Sequence, residues 1–214
     1  MKKIIVLGKS KKFIKIIKEL YVNYEIKNFS WREIDKIRNL KLLSNINIIF
    51  VCGYDYNSQW YSYNKFYRTN ISSPYKFISS IVKKNTFLFY VDTIDKIKKN
   101  SNSKTLILSR YEYAKKMLRY KLIKRFNKIQ IIELPPIIDE NSNVNIFGNR
   151  LTKIIFRILI FIELIDSIKL TKIKKKFLIK NNFNKKYSLS KPISLFLFIP
   201  RPLFIDRFLR IISG

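Results

Sequence analysis

The residues available for chemistry in this chain are set as much by what is missing as by what is present. Among 214 residues there is no histidine and a single cysteine, Cys52. Imidazole bases, Ser-His and Cys-His nucleophiles, His-ligated metals, cysteine-rich zinc sites and intramolecular disulfides are therefore excluded. Acid–base work falls to Tyr, Lys, Asp, Glu, Ser and Thr. A tyrosine followed four residues later by a lysine occurs four times, at Tyr61/Lys65, Tyr111/Lys115, Tyr120/Lys124 and Tyr187/Lys191. On a helix such positions share one face, and a neighbouring ammonium favours phenolate, lowering tyrosine from its ordinary pKa of about 10. A phenol tuned in this way can exchange a proton with a hydroxyl near neutrality. Only the Tyr111 pair opens a capped helix, behind Ser109-Arg110-Tyr111-Glu112, after a strand that ends at Asp92-Thr93.

The elements that must position these residues follow from the apolar pattern. The run at 3–7 stops at Gly8 and is followed by Phe13, Ile16, Ile17 and Leu20 at helical spacing, which predicts a buried strand, a turn and a helix. A second strand is expected at 24–27. Ser30-Trp31-Arg32-Glu33 has the spacing of a capping box and predicts a helix carrying Ile34, Ile37 and Leu40. Further strands are expected at 46–52, ending at Gly53, at 86–91, and at 129–134, halted by Pro135-Pro136. Between them lie a Tyr-rich loop at 54–63 and a helical stretch through Asn70, with Pro74 opening its second half. Strands alternating with helices predict an α/β fold, a Rossmann-like doubly wound parallel sheet whose ligands sit outside the carboxyl ends of the strands. Beyond residue 141 the pattern changes to a long apolar helix at 151–170, a basic run at 172–176, a strand-like 193–199 and a final amphipathic piece from Pro202. The expected organisation is a Rossmann-like domain at 1–140 and an abbreviated, α-rich C-terminal lobe at 141–214, part of the same compact unit.

Charge is the other conspicuous property. The chain carries 33 lysines and 11 arginines against 14 acidic residues, a formal net charge of +30. A composition of 47% hydrophobic and 15% aromatic residues supplies a real core, so global disorder is not expected. Basicity favours phosphate-rich partners, but no nucleic-acid recognition motif accompanies it. The lysines are spread over every element, and Lys, Ile and Asn share A/T-rich codons, so compositional drift is a rival explanation. The run Lys172 to Lys176 reads as a solvated face. The end of the chain, with Phe204, Phe208, Ile211 and Ile212 beside Arg207 and Arg210, suits an interfacial helix on an anionic membrane or a helix packed on the domain or on a second subunit of a homodimer. No segment reads as secretory or as a membrane span, since the apolar stretch at 154–168 is interrupted by Arg157, Glu163 and Asp166. Asp55, Asp139 and Glu140 lie near strand ends, too sparse for a metal site without histidine, and loop solvation is the expected role.

The order of these features over residues 1 to 140 resembles the short-chain dehydrogenase/reductase superfamily, in its extended, sugar-nucleotide epimerase/dehydratase branch. Gly8 stands at the first glycine of that family's nucleotide turn. Phe50-Val51-Cys52-Gly53 is similar to its H-x-A-G strand end, and Asn70 to its helical asparagine. Phe89 to Thr93 resembles the strand that ends in a catalytic Ser or Thr, Tyr111/Lys115 its Y-x-x-x-K, and Glu133 to Pro136 its proline loop beside the nicotinamide. The resemblance implies Tyr111 as acid/base, Lys115 as its partner and ribose contact, and Thr93 as orienter of the substrate hydroxyl. It implies a cofactor site at Gly8, Ser10, Cys52, Gly53, Asn70 and Pro136, with NAD or NADP as cofactor. It also implies a nucleotide-activated sugar as substrate, a role in cell-surface glycan biosynthesis, and a cytoplasmic location that leaves contact with the inner membrane face open. The second and third glycines of the family turn are absent, since Lys9-Ser10-Lys11-Lys12-Phe13 occupies that stretch. A β-carbon at each position crowds the pyrophosphate path. A retained cofactor held differently and a non-catalytic binding or regulatory protein that has lost its cofactor both remain open.

Overall fold

The computed structural model describes residues 2–8, 10–37, 43, 45–93, 109–138, 150–163, 166–179, 195–202 and 205–206. Five parallel strands form the main sheet: β1 (Lys2–Leu7), β2 (Tyr24–Phe29), β3 (Ile46–Val51), β4 (Phe87–Thr93) and β5 (Ile129–Leu134), in the order β2-β1-β3-β4-β5. Strands covered on both faces need unbroken apolar runs rather than alternation. Ile4 to Leu7 and Ile48 to Val51 are accordingly all buried.

Helices cover both faces, as expected for a doubly wound sheet. On one side α3 (Ser73–Ile81) and α4 (Arg110–Arg125) set Phe77, Ile78, Ile81, Leu118 and Leu122 against Ile5, Leu7, Ile49, Val51 and Tyr90. On the other, α1 (Lys11–Leu20) sets Ile16 and Ile17 against Ile4, Val6, Ile48 and Phe89. The predicted helical stretch after the Tyr-rich loop is a short helix α2 (Tyr63–Tyr67), a π-helical turn over Arg68–Ser72 and then α3, with Pro74 in its first turn. The order reverses between β1 and β3, so the switch-point crevice lies above Gly8 and Cys52-Gly53.

Three expectations are corrected. The Ser30 box starts a six-residue 3-10 helix, Trp31–Lys36, rather than an α-helix, and the Ser30 side chain makes no capping bond. Trp31 and Ile34 are drawn into the core, which the tighter turn satisfies; the position of Leu40 lies outside the described residues. The long apolar helix is α5 (Arg150–Phe161), and the chain leaves it through Glu163 at φ 58. The strand-like 193–199 contains a 3-10 turn, Leu195–Phe198, in which Leu197 is buried against Phe66, Ile71 and Tyr113. The lysines of the basic run face solvent as expected, Lys172, Lys174 and Lys175 being exposed, while the interleaved Ile173 and the following Phe177 are fully buried on the α1 side of the sheet. They belong to α6 (Leu170–Ile173) and the 3-10 turn Lys174–Phe177, which follow a small two-stranded parallel sheet of β6 (Ile137–Ile138) and β7 (Ile168–Lys169).

Candidate functional site

The carboxyl edge of the sheet gathers the expected residues into three groups. The first is centred on Lys115. Helix α4 begins as its sequence predicts, with the Ser109 hydroxyl accepting from the Glu112 N–H at 3.2 Å. One turn on, Lys115 is 4% exposed. Its ammonium donates to the Val91 carbonyl at 2.6 Å and lies 4.6 Å from the Tyr90 ring centre. Desolvation holds Lys115 below the ordinary lysine value, opposed by the charges of Asp92 and Cys52. Burial in turn pushes the Cys52 thiol up to about 12 against the pull of Lys115, so the one cysteine is no thiolate nucleophile. Thr93 ends β4 in register with Leu134, two residues past the carbonyl that Lys115 holds.

Tyr111 belongs to a second, aromatic group. It is 6% exposed, with its ring 4.8 Å from that of Tyr54 and stacked 6.0 Å from that of Tyr56. The difference from the other Tyr/Lys pairs is instructive. Lys65 and Lys124 lie over the rings of their own partners, Tyr61 and Tyr120, at 4.2 and 4.6 Å. Lys115 instead reaches across to the sheet. Tyr187 and Lys191 lie outside the described residues.

The third group is glycine-lined. Gly8 has φ +136, and a Cβ there would sit 3.0 Å from the Gly53 nitrogen, so the two backbones meet closely at the switch point. A methyl on Gly53 would stand 2.0 Å from Trp31 Cε3. Trp31 is buried, and its Nε1 has no hydrogen-bond partner among the described residues.

The remaining expected residues are occupied structurally. Ser10 caps α1, its hydroxyl accepting from the Phe13 N–H at 3.4 Å. Asn70 spends its amide on the Asp55 N–H, the Ser58 hydroxyl and the Phe66 carbonyl at 2.9, 2.7 and 3.3 Å, tying the loop after β3 to the π turn. Pro136 is buried, and its carbonyl accepts from the Ile168 N–H. Asp55 is not solvated: it is 2% exposed and accepts from Arg32 Nε at 2.6 Å, the Asn57 N–H at 3.2 Å and the Tyr61 hydroxyl at 3.1 Å. No cluster that could hold a metal occurs among the described residues, and Asp139 and Glu140 lie outside them.

Two residues invisible to local pattern control the start of α4. Asp206, 1% exposed, accepts from the Ser109 hydroxyl at 2.8 Å, the Arg110 N–H at 2.7 Å, the Tyr111 N–H at 3.3 Å and Gln59 Nε2 at 3.2 Å. Arg110 is fully buried and binds backbone carbonyls from both the Tyr-rich loop and the 195–198 turn. About a hundred residues separate Asp206 from its partners, so no spacing rule could have found it.

A dinucleotide laid along this edge meets two kinds of surface. Near β4 the buried Lys115, with ammonium protons beyond the one given to Val91, suits the ribose and nicotinamide end. Near β1 and β3 the space that Gly53 clears is filled by the Trp31 indole, and an amide of the α1 N-terminus is already spent on Ser10. The residues thus fit the nicotinamide end and crowd the adenosine end.

No family model matches the chain, and no curated protein matches it in sequence. Solved structures do. A dTDP-4-dehydrorhamnose reductase from Bacillus anthracis, in complex with NADP, superposes with a TM-score of 0.53 at 14% identity, over 82% of this chain and 69% of that one. A dTDP-glucose 4,6-dehydratase from the same organism, in complex with NAD, gives 0.48 at 12% identity over 82% and 70%. A UDP-rhamnose synthase from Acanthamoeba polyphaga mimivirus gives 0.45 at 14% over 64% and 57%. The five-stranded parallel sheet with its flanking helices is therefore a Rossmann-like α/β fold, shared with the dTDP-4-dehydrorhamnose reductase.

Proposed function

We propose that the chain is an NAD- or NADP-dependent protein of the epimerase, dehydratase or reductase kind, acting on a nucleotide-activated sugar in cell-surface glycan assembly. The observation that carries this reading is Lys115, a buried ammonium at the carboxyl end of β4, one helical turn after Tyr111. The likeness in fold to a dTDP-4-dehydrorhamnose reductase supports the substrate class. When bound, the dinucleotide supplies or accepts a hydride. This chain's residues handle the proton and the positioning. The Tyr111 hydroxyl gives or takes the proton of the substrate hydroxyl, Lys115 holds the cofactor ribose and favours the phenolate, and Thr93 orients the reacting hydroxyl. Gly8, Ser10, Cys52 and Gly53 line the approach of the cofactor, and Asn70 and Pro136 shape the loops on either side.

A second reading is favoured by one observation, the Trp31 indole in the space beside Gly53: a non-catalytic Rossmann-like binding or regulatory protein with a closed adenosine end. Titration with NADH and NADPH, followed by fluorescence transfer from Trp31 and Trp60, separates the two. The enzymatic reading expects saturable binding that survives Tyr111→Phe, together with loss of turnover in that variant. Absence of binding at millimolar cofactor leaves the second reading standing, and turnover retained by Tyr111→Phe removes Tyr111 from the chemistry.

A further inference from the structure

Helix α5 presents its apolar side outward. Ile154, Ile155, Ile158, Phe161 and Ile162 are each between 44% and 87% exposed, while Phe156 on the same helix is 1% exposed. At about 100° per residue the five exposed side chains fall within an arc of roughly 120°, and Phe156 lies almost opposite its centre. Phe156 thus marks the covered side of the helix, and the five exposed side chains form a continuous apolar face on the other. Such a face on a soluble domain marks an interaction surface.

The charges around it indicate what covers it. Lys153 and Arg157, both exposed, border the arc on one side. Residues 150–179 hold eight basic and two acidic side chains. The exposed Leu178 and Ile179 lie just beyond the basic run Lys172 to Lys176, separated from it by the buried Phe177. A second copy of this chain would bring another net charge of +30 to a rim that is already cationic, whereas anionic lipid headgroups complement it. The helix has 12 residues, about 18 Å at 1.5 Å per residue, far short of the roughly 30 Å hydrocarbon core. No helix among the described residues is long and apolar enough to cross a membrane. An apolar arc bordered by cations on a helix of this length is the form of an element that lies in the headgroup region.

We propose that α5 is a membrane-docking helix, its Ile154/Ile158/Phe161 face seated among the acyl chains of an anionic bilayer and Lys153 and Arg157 on the lipid phosphates. This surface is distinct from the end of the chain that the sequence singles out, whose apolar residues Phe208, Ile211 and Ile212 lie outside the described residues. It does not depend on the oxidoreductase reading.

The test is co-sedimentation of the full chain with vesicles of phosphatidylcholine mixed with phosphatidylglycerol, against phosphatidylcholine alone. The expected result is pelleting with the anionic vesicles at physiological salt, weakened about tenfold or more by Phe161→Glu and by Ile158→Glu, with unchanged thermal melts. A control variant carrying Lys83→Gln and Lys84→Gln, cations beside the amino-terminal ends of β1, β3 and β4 and outside residues 150–179, should retain most of the binding. Three results would overturn the proposal: no pelleting, equal pelleting of the Glu variants, or a wild-type dimer by light scattering that Phe161→Glu converts to monomer without any change in vesicle binding.

Discussion

Arg110 and Lys115 are buried cations on the same helix, and their surroundings assign them opposite tasks. The Arg110 guanidinium donates to the carbonyls of Ser58, Gln59, Tyr61, Leu197 and Phe198 at 2.8 to 3.2 Å and lies 5.0 Å from the Phe66 ring centre. A planar fork with five donors matches such a nest of carbonyls, and the charge faces Asp206 and Arg201 in the same network. The result is a staple that fastens the 195–198 turn and the Tyr-rich loop to the head of α4. Lys115 gives one bond to one carbonyl and rests on one ring. A compact ammonium with three donors, desolvated and held by a single strong contact, is a group whose charge and protons are still available for chemistry. A saturated buried cation is architecture; an unsaturated one at a strand end is a candidate for function.

The comparison can be broken most directly at Arg110. Arg110→Leu strands five buried carbonyls, and the expected loss is about 3–5 kcal/mol of unfolding free energy in urea. Should that variant not fold, Arg110→Lys, which keeps the charge without the fork, is expected to lose about half as much. A loss under about 1 kcal/mol in either would show that the carbonyls do not need the guanidinium.

Asp206 sharpens the same side of the comparison. Asp206→Asn turns an acceptor of four hydrogen bonds into an amide that can accept at only one oxygen, at an expected cost of about 1–3 kcal/mol at neutral pH. Burial holds the Asp206 carboxyl above the usual carboxylate range, although the donors around it pull the other way. A folded acid with a raised pKa binds its proton more tightly than the unfolded chain. Its contribution is therefore fully present below about pH 3.9 and is lost as pH rises through the folded value. The stability of wild type relative to Asp206→Asn should fall as pH is raised through the mildly acidic range. A relative stability that grows with pH would contradict the assignment.

The smallest effect on stability is expected at Lys115. Replacing a desolvated ammonium by Met, of similar length, should change stability by less than about 1 kcal/mol in either direction, while removing dinucleotide binding if the proposed function holds. Because the folded ammonium releases its proton more readily than the unfolded one, wild-type stability should gain as pH rises from the folded value toward about 10.4. Lys115→Met should lack that gain. Equal losses from Arg110→Leu and Lys115→Met would erase the distinction between the two cations.

Much of the sheet was readable from the apolar pattern alone. The strand at 129–134 falls where its apolar run does, β3 ends one residue before the expected position, and Ser109 caps α4 as its spacing predicts. These signals are local: an unbroken apolar run has few homes other than a strand covered on both faces. The misreadings occur where a local signal competes with a distant partner. Ser30 has the letters of a capping box, but Trp31 is drawn under Gly53 and the turn tightens. The apolar helix after residue 150 was expected to run to 170 but ends at Phe161, and among its described side chains only Phe156 is fully buried while the opposite arc faces outward.

By itself the sequence determined the α/β class and a repertoire restricted to Tyr, Lys, Ser, Thr and carboxylates, because these follow from periodicity and from the absence of histidine. Only the tertiary structure decided what those residues do. Lys115 reaches Val91 instead of lying on its own i−4 tyrosine, Asn70 and Asp55 are consumed by the loops around them, and Asp206 holds a helix head 96 residues away. Spacing fixes which side chains share a face, but hydrogen bonds across the fold fix which of them are spent, and that depends on contacts between segments far apart in the chain.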